Sequence, residues 1–148
     1  MRIVKVVVAF AAMLWTMPTL GQVAPQQVAA VDQQTAARVA VVQQHVDAYR
    51  SGNFDRFMAT FAPNAEVYGP GITAVGRDQI RASYRPNFAP GAPKIRIHSS
   101  EVAGDLVFLT IGYVSATGEE LFCSYTEYGV AGDKISYVAS SLTRCPGE

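Results

Sequence analysis

From Lys94 onward the chain changes period. Lys94–Ala103, Asp105–Ala116, Glu120–Val130 and Lys134–Thr143 alternate in steps of two. That is the repeat of strands with one face turned toward a core. The links are Gly104-Asp105, Thr117-Gly118-Glu119 and Ala131-Gly132-Asp133. Links this short join antiparallel neighbours, because a parallel crossover needs a dozen or more residues. The second half of the chain is therefore expected to be a four-strand meander.

The residues before Pro93 follow the helical period. Val39, Val42, Val46 and Tyr49 recur at spacings of three and four and form one apolar stripe. Asp32 suits an N-cap for this helix, Gly52 a C-terminal stop and Asn53 the cap of the next helix. Phe54, Phe57, Met58 and Phe61 mark the buried face of a short second helix, ended by Pro63. Ala65 to Tyr68 reads as a short strand closed by Gly69-Pro70-Gly71, and a third helix runs from about Arg77 to Arg85. Three helices with one early strand, then a meander, make an α+β domain. Its helices pack on one face of a curved, mostly antiparallel sheet.

The first 21 residues stand apart. Arg2 and Lys5 precede an apolar run from Val6 to Trp15, followed by Pro18 and the small residue Gly21. This is the pattern of a cleavable signal peptide, with cleavage expected near Gly21 and a secreted or periplasmic product. The apolar run is about half the ~20 residues of a membrane-spanning helix, so no stable insertion is expected after cleavage. The remainder divides into 22–37, a leader and the start of the first helix, a domain over 38–144, and a tail over 145–148. The whole chain balances 12 basic against 12 acidic residues. Loss of Arg2 and Lys5 leaves an acidic excess of two. Neither state has the basic footprint of a nucleic-acid binder.

The run VVQQHVDAYRSGNFDRFMATFAPNAEVYGPG, the helix start Gly76-Arg77-x-x-Ile80 and the four strands resemble the SnoaL-like group of the nuclear transport factor 2-like superfamily. The resemblance covers about 38–144 and implies a cone in which sheet and helices enclose one pocket, with dimerisation through the outer sheet face. Superfamily enzymes include ketosteroid isomerase, scytalone dehydratase, limonene epoxide hydrolase and polyketide cyclases. Other members bind, transport or assemble without chemistry, so the fold alone does not select an activity.

Residue by residue, the resemblance to ketosteroid isomerase places Gly69 where a carboxylate base is required, which disfavours that reaction. Its two oxyanion-holding positions fall on His45 and Ser124. The resemblance to scytalone dehydratase places Tyr49, Tyr68 and His98 on acid–base positions, with Arg50 in place of an acid and Tyr113 in place of a second histidine. Glu101, Arg96, Glu119, Glu120 and Glu127 give no match to the Asp-Arg-Asp set of limonene epoxide hydrolase. His45, Tyr49, Tyr68 and His98 are thus the candidate catalytic residues, and Phe57, Tyr84, Tyr113, Ser124 and Tyr128 the candidate ligand-binding ones. His45 is one helical turn from Tyr49 and reads either as a pocket donor or base, or as a hydrogen-bonded histidine without chemistry. His98 reads either as functional or as an exposed sheet residue sharing a face with Arg96 and Ser100. By parity, Phe122, Ser124, Thr126 and Tyr128 share one face of their strand, and Cys123, Tyr125 and Glu127 the other.

No nucleophile elbow, phosphate loop or dinucleotide fingerprint is present. The two histidines and two cysteines have no local metal-ligand spacing, so neither cofactor nor metal is expected. Pairing Val130 with Lys134 sets Cys123 opposite residue 141, ~13 Å short of Cys145 at ~3.3 Å per residue. A bulge or a curled C-terminus closes that gap, whereas a regular hairpin leaves free thiols or an intermolecular bridge. Three functions remain open: a binding domain for a small apolar or aromatic molecule, a lyase or isomerase using the same pocket, and a protein-interaction module.

Overall fold

A computed structural model describes residues 25–147. The signal peptide expected at 1–21 lies outside them. The elements are α1 (Pro25–Arg50), α2 (Phe54–Met58), β1 (Phe61–Gly69), β2 (Ile72–Val75), α3 (Arg77–Tyr84), a 3-10 turn (Arg85–Phe88), β3 (Lys94–Ala103), β4 (Leu106–Val114), β5 (Glu120–Ala131) and β6 (Lys134–Thr143). One six-stranded sheet has the order β2-β1-β6-β5-β4-β3. The expected meander forms its larger part. β1 is inserted parallel to β6, and β2 pairs antiparallel on its outer edge. The helices pack on the face that carries the core, giving the expected α+β architecture. No helix among the described residues is long and apolar enough to cross a membrane.

Helix α1 turns Val42, His45, Val46 and Tyr49 toward the sheet, all buried or half-buried. Among the described residues it begins at Pro25, so Asp32 lies within it rather than capping it. Gly52 stops it with φ of 69°, a conformation that costs a residue without a Cβ little. The Asn53 side chain then accepts from the Arg56 N–H at 2.9 Å and starts α2.

The second helix is shorter than its apolar spacing predicts. It ends at Met58, and Phe61 opens β1 instead of completing the helical face. The cause is Thr60. Its N–H and its hydroxyl both donate to the Phe57 carbonyl, at 3.1 and 2.6 Å, which competes with continued helix. Its own carbonyl accepts from Ile135 N–H at 2.9 Å and draws the chain into the sheet. Pro63 does not end a helix. It sits in β1 where the register against β6 shifts between Phe61 and Glu66, a place where a residue without an N–H is tolerated. Arg77 at the start of α3 donates from Nε to the Phe61 carbonyl at 3.0 Å, and its Nη2 donates to the same oxygen. The Gly76 N–H donates to the Ala65 carbonyl at 2.8 Å. The Gly-Arg signature therefore clamps α3 to β1.

The β5–β6 hairpin is tighter than the sequence suggests. Ala131 pairs with Lys134, and a further register shift falls between Gly129 and Val130. Together they place Thr143, not residue 141, opposite Cys123. Cys145 is two residues on, and the curled tail brings its Cα to 5.2 Å from that of Cys123, with the two joined by a disulfide. Closing a loop with a sequence separation of 22 stabilises the chain by about 3 kcal/mol through the unfolded state. Cys145→Ser should lower unfolding stability by that order. Urea melts of oxidised wild type and variant check it, and equal midpoints would sink the assignment.

Candidate functional site

Two adjoining cavities lie on the inner face of the sheet, the inner one against α1 and the outer one against the end of α3 and the 3-10 turn. The inner one has a volume of about 30 Å³ and is lined by His45, Tyr49, Phe57, Tyr84, Tyr113 and Tyr128, among others. That suffices for a water molecule. The outer one, the chamber, is about 530 Å³ and is lined by Val67, Ile72, Tyr84, Asn87, Tyr113, Phe122, Ser124, Ser140 and Leu142, with the Tyr68–Pro70 turn at its rim. Tyr84, Tyr113 and Ser140 border both spaces. The chamber falls within the size range of small-molecule sites. No charged side chain is in its lining among the described residues.

Strand parity builds this wall. Ser124 pairs with Ile111 and Leu142, and Thr126 with Leu109 and Ser140. Phe122, Ser124, Thr126 and Tyr128 therefore face the helices. Ser124 and Thr126 are buried, and their hydroxyls lie 3.1 Å apart. The Thr126 hydroxyl meets that of Ser140 at 3.0 Å. A short hydroxyl ladder thus runs along the floor in otherwise apolar surroundings. Tyr113 stacks on Phe122 with centroids 4.4 Å apart.

His45 is held as a neutral side chain. It is 4% exposed, and Nδ1 lies 2.7 Å from the Thr60 hydroxyl. That hydroxyl spends its one hydrogen on the Phe57 carbonyl, so it accepts from His45. Nδ1 therefore carries the proton and Nε2 is left as the acceptor. Burial lowers the imidazole pKa from 6.5 to about 3. Phe57, Phe61 and Tyr128 pack around the ring with centroids 4.7 to 5.5 Å away. The nearby phenols shift the other way. Burial, with a smaller contribution from Tyr113, raises Tyr49 to about 12 against a weaker opposing effect of Asn87. Burial also raises Tyr84, Tyr113 and Tyr128.

The sequence candidates divide into three groups. His45, Tyr49, Phe57, Tyr84, Tyr113 and Tyr128 meet at the inner cavity, and Ser124 joins Tyr84 and Tyr113 in the chamber wall. Tyr68 reaches only the rim. It is 37% exposed, and its hydroxyl donates to Glu66 at 2.8 Å on the outward side of β1. His98 lines neither cavity. Its Nε2 lies 2.7 Å from Glu120 Oε1, on the outer side where Gly112 leaves room. A register shift between Ile97 and Ser99 breaks the two-residue alternation there. Ser100 consequently pairs with Leu109, a residue of the inner face, and no longer shares a side with Arg96. Sequence reasoning missed Asn87, Ser140, Leu142 and Thr60. Ser140 and Leu142 carry the same parity as Val138, a signal present in the strand pattern. Asn87 sits in the 3-10 turn after Pro86 and has no periodic signal.

Comparison with known proteins agrees with this geometry. A protein from Kribbella flavida described as a candidate ketosteroid isomerase superposes with a TM-score of 0.63 at 13% identity, covering 76% of this chain and 82% of its own. A candidate polyketide cyclase from Sinorhizobium meliloti gives 0.61 at 19% identity, with 68% and 93% covered. A protein with a cystatin-like fold from Methylobium petroleophilum gives 0.62 at 15% identity, with 76% and 81% covered. At such identities the likeness is one of fold. No curated protein matches by sequence. The SnoaL-like domain model matches residues 42–138, the span that supplies the end of α1, the clamp at Arg77 and most of the sheet, and the chain belongs to the SnoaL-like family.

Proposed function

We propose that this SnoaL-like domain is an exported binder of a small, neutral, apolar or aromatic molecule held in the chamber. The carrying observation is a space of about 530 Å³ walled by Val67, Ile72, Tyr84, Tyr113, Phe122 and Leu142, with no charged group in its lining among the described residues. Leaving an ion there means losing its hydration without a counter-charge, so the chamber selects against charged ligands. Asn87, Ser124 and Ser140 supply the few polar contacts that orient a ligand. His45, with its free Nε2, acts at the inner end as a hydrogen-bond acceptor. Catalysis by proton transfer favours a group whose pKa lies near the working pH. His45 at about 3 and Tyr49 at about 12 flank that range from both sides, which favours binding over a dehydratase or isomerase reaction. Export rests on Arg2, Lys5 and the apolar run to Trp15, and the Cys123–Cys145 bond suits an oxidising compartment.

A neutral aromatic probe such as N-phenyl-1-naphthylamine should bind with blue-shifted emission. Ile72→Trp, which narrows the chamber, and Leu142→Glu, which charges its mouth, should each weaken it at least ~10-fold, about 1.4 kcal/mol. Probe binding unchanged in both variants overturns the proposal. For His45 the folded pKa lies below the unfolded one. Its contribution is complete above pH 6.5 and is lost as pH falls from there toward about 3, at up to about 1.4 kcal/mol per pH unit. His45→Gln should flatten this part of the stability profile between pH 6.5 and 4 in urea melts, and parallel profiles would refute a neutral buried His45. Expressed with its native N-terminus in a secreting host, the mature protein should begin near Gln22 by intact mass. Retention of Met1 in the exported protein would contradict cleavage.

A further inference from the structure

We propose that reduction of the Cys123–Cys145 disulfide turns the outer sheet face into a four-ligand zinc site made of His98, Glu120, Cys123 and Cys145. The site lies apart from the chamber and does not depend on what the chamber binds. Arg96, Gly112, Cys123 and Thr143 stand in one row across β3, β4, β5 and β6. Gly112 has no side chain, and a Cβ there would run into Glu120 and His98. Its absence lets those two side chains fold over the row toward Cys123. A ring nitrogen of His98, a carboxylate oxygen of Glu120 and Cys123 Sγ all lie within 4.8 Å of one another. The disulfide brings Cys145 Sγ as a fourth donor to the same point.

The donor chemistry fits a zinc-class ion. Tetrahedral zinc takes imidazole nitrogen, carboxylate oxygen and thiolate sulfur at about 2.0–2.3 Å, which sets neighbouring donors roughly 3.3–3.8 Å apart. His98 and Glu120, now 2.7 Å apart, need to separate by under ~1 Å, and the widest pair needs to close by about as much. Cys145 is on the short stretch beyond β6, outside the sheet hydrogen bonds, so its sulfur can move away from Cys123 by the distance that two thiolates require. A divalent ion with two thiolates and one carboxylate carries one net negative charge. The Arg96 guanidinium, 3.9 Å from Glu120 Oε1, offsets it. With the disulfide intact, both sulfurs are spent and only two donors remain.

The step balances with a dithiol as reductant. Two electrons pass from the dithiol, the Cys123–Cys145 bond breaks, both sulfurs take up protons and the dithiol closes to its own disulfide. Zinc then displaces the two thiol protons. Because the ion binds the reduced form alone, it favours reduction of the disulfide.

The test uses the full mature chain, reduced, freed of reductant without oxygen and titrated with cobalt(II) as a spectroscopic stand-in for zinc. One equivalent should give tetrahedral absorption with a thiolate charge-transfer band, and the oxidised protein should give neither. His98→Ala and Glu120→Gln should each weaken binding ~10-fold or more, and Cys145→Ser should roughly halve the thiolate band. Zinc should also shift the disulfide equilibrium toward the reduced form against a dithiol buffer. If reduction alone abolishes the near-ultraviolet circular dichroism, recovery at one equivalent of metal that depends on His98 and Glu120 supports the site. No recovery, or cobalt binding indifferent to both residues, overturns it.

Discussion

The architecture depends on one pairing, that of β1 with β6. The other strand neighbours follow from short links between consecutive segments. This one joins residues from opposite halves of the domain, in parallel, with Phe61 beside Ile135 and Val67 beside Val138. Loop closure over that separation has an entropic cost before any contact forms. Thr60, Lys134 and Arg77 offset it. The Thr60 carbonyl accepts from Ile135, Lys134 Nζ reaches the Ala59 carbonyl at 3.0 Å, and Arg77 holds the Phe61 carbonyl. With β1 in place, Val67 and the Gly69–Pro70 turn close the near side of the chamber. Without it the β5 and β6 inner faces would stand open to water.

The site inherits its chemistry from this enclosure. Desolvation dominates the shifts of His45, Tyr49, Tyr84 and Tyr128, pushing the imidazole down and the phenols up. Every one of these groups is thereby held in its neutral form near neutral pH. The result is a polar but uncharged interior, suited to orienting a molecule by hydrogen bonds and aromatic contact. The charged groups stay outside, as in the Arg38–Asp105 and Arg81–Asp55 pairs.

Much of the fold was legible because each meander strand has one buried face, so a two-residue period appears in the residue types. β3 and β6 keep their expected bounds, and the inner parity of β5 survives in the structure. β2 left no trace, since four residues at an edge with one buried, Ala74, carry too little alternation to detect. Phe61 continued a helical spacing by coincidence, and the Thr60 side chain decided otherwise. The register shifts had the largest consequences. Those at Ile97/Ser99 and Gly129/Val130 each displace every later pairing by one position. The first separates His98 from Ser100, and the second helps bring Cys145 to Cys123.

The sequence by itself determined the kind of structure: helices then meander, and the strand parity that builds the inner wall. Those follow from local period, which the order of residues encodes directly. Only the tertiary structure decided that His98 belongs with Glu120 on the outer face, that Tyr68 stops at the rim, and that the two cysteines meet. These outcomes turn on register and on what stands across the sheet. A one-residue bulge or a missing Cβ at Gly112 settles them, a scale that local sequence period does not record.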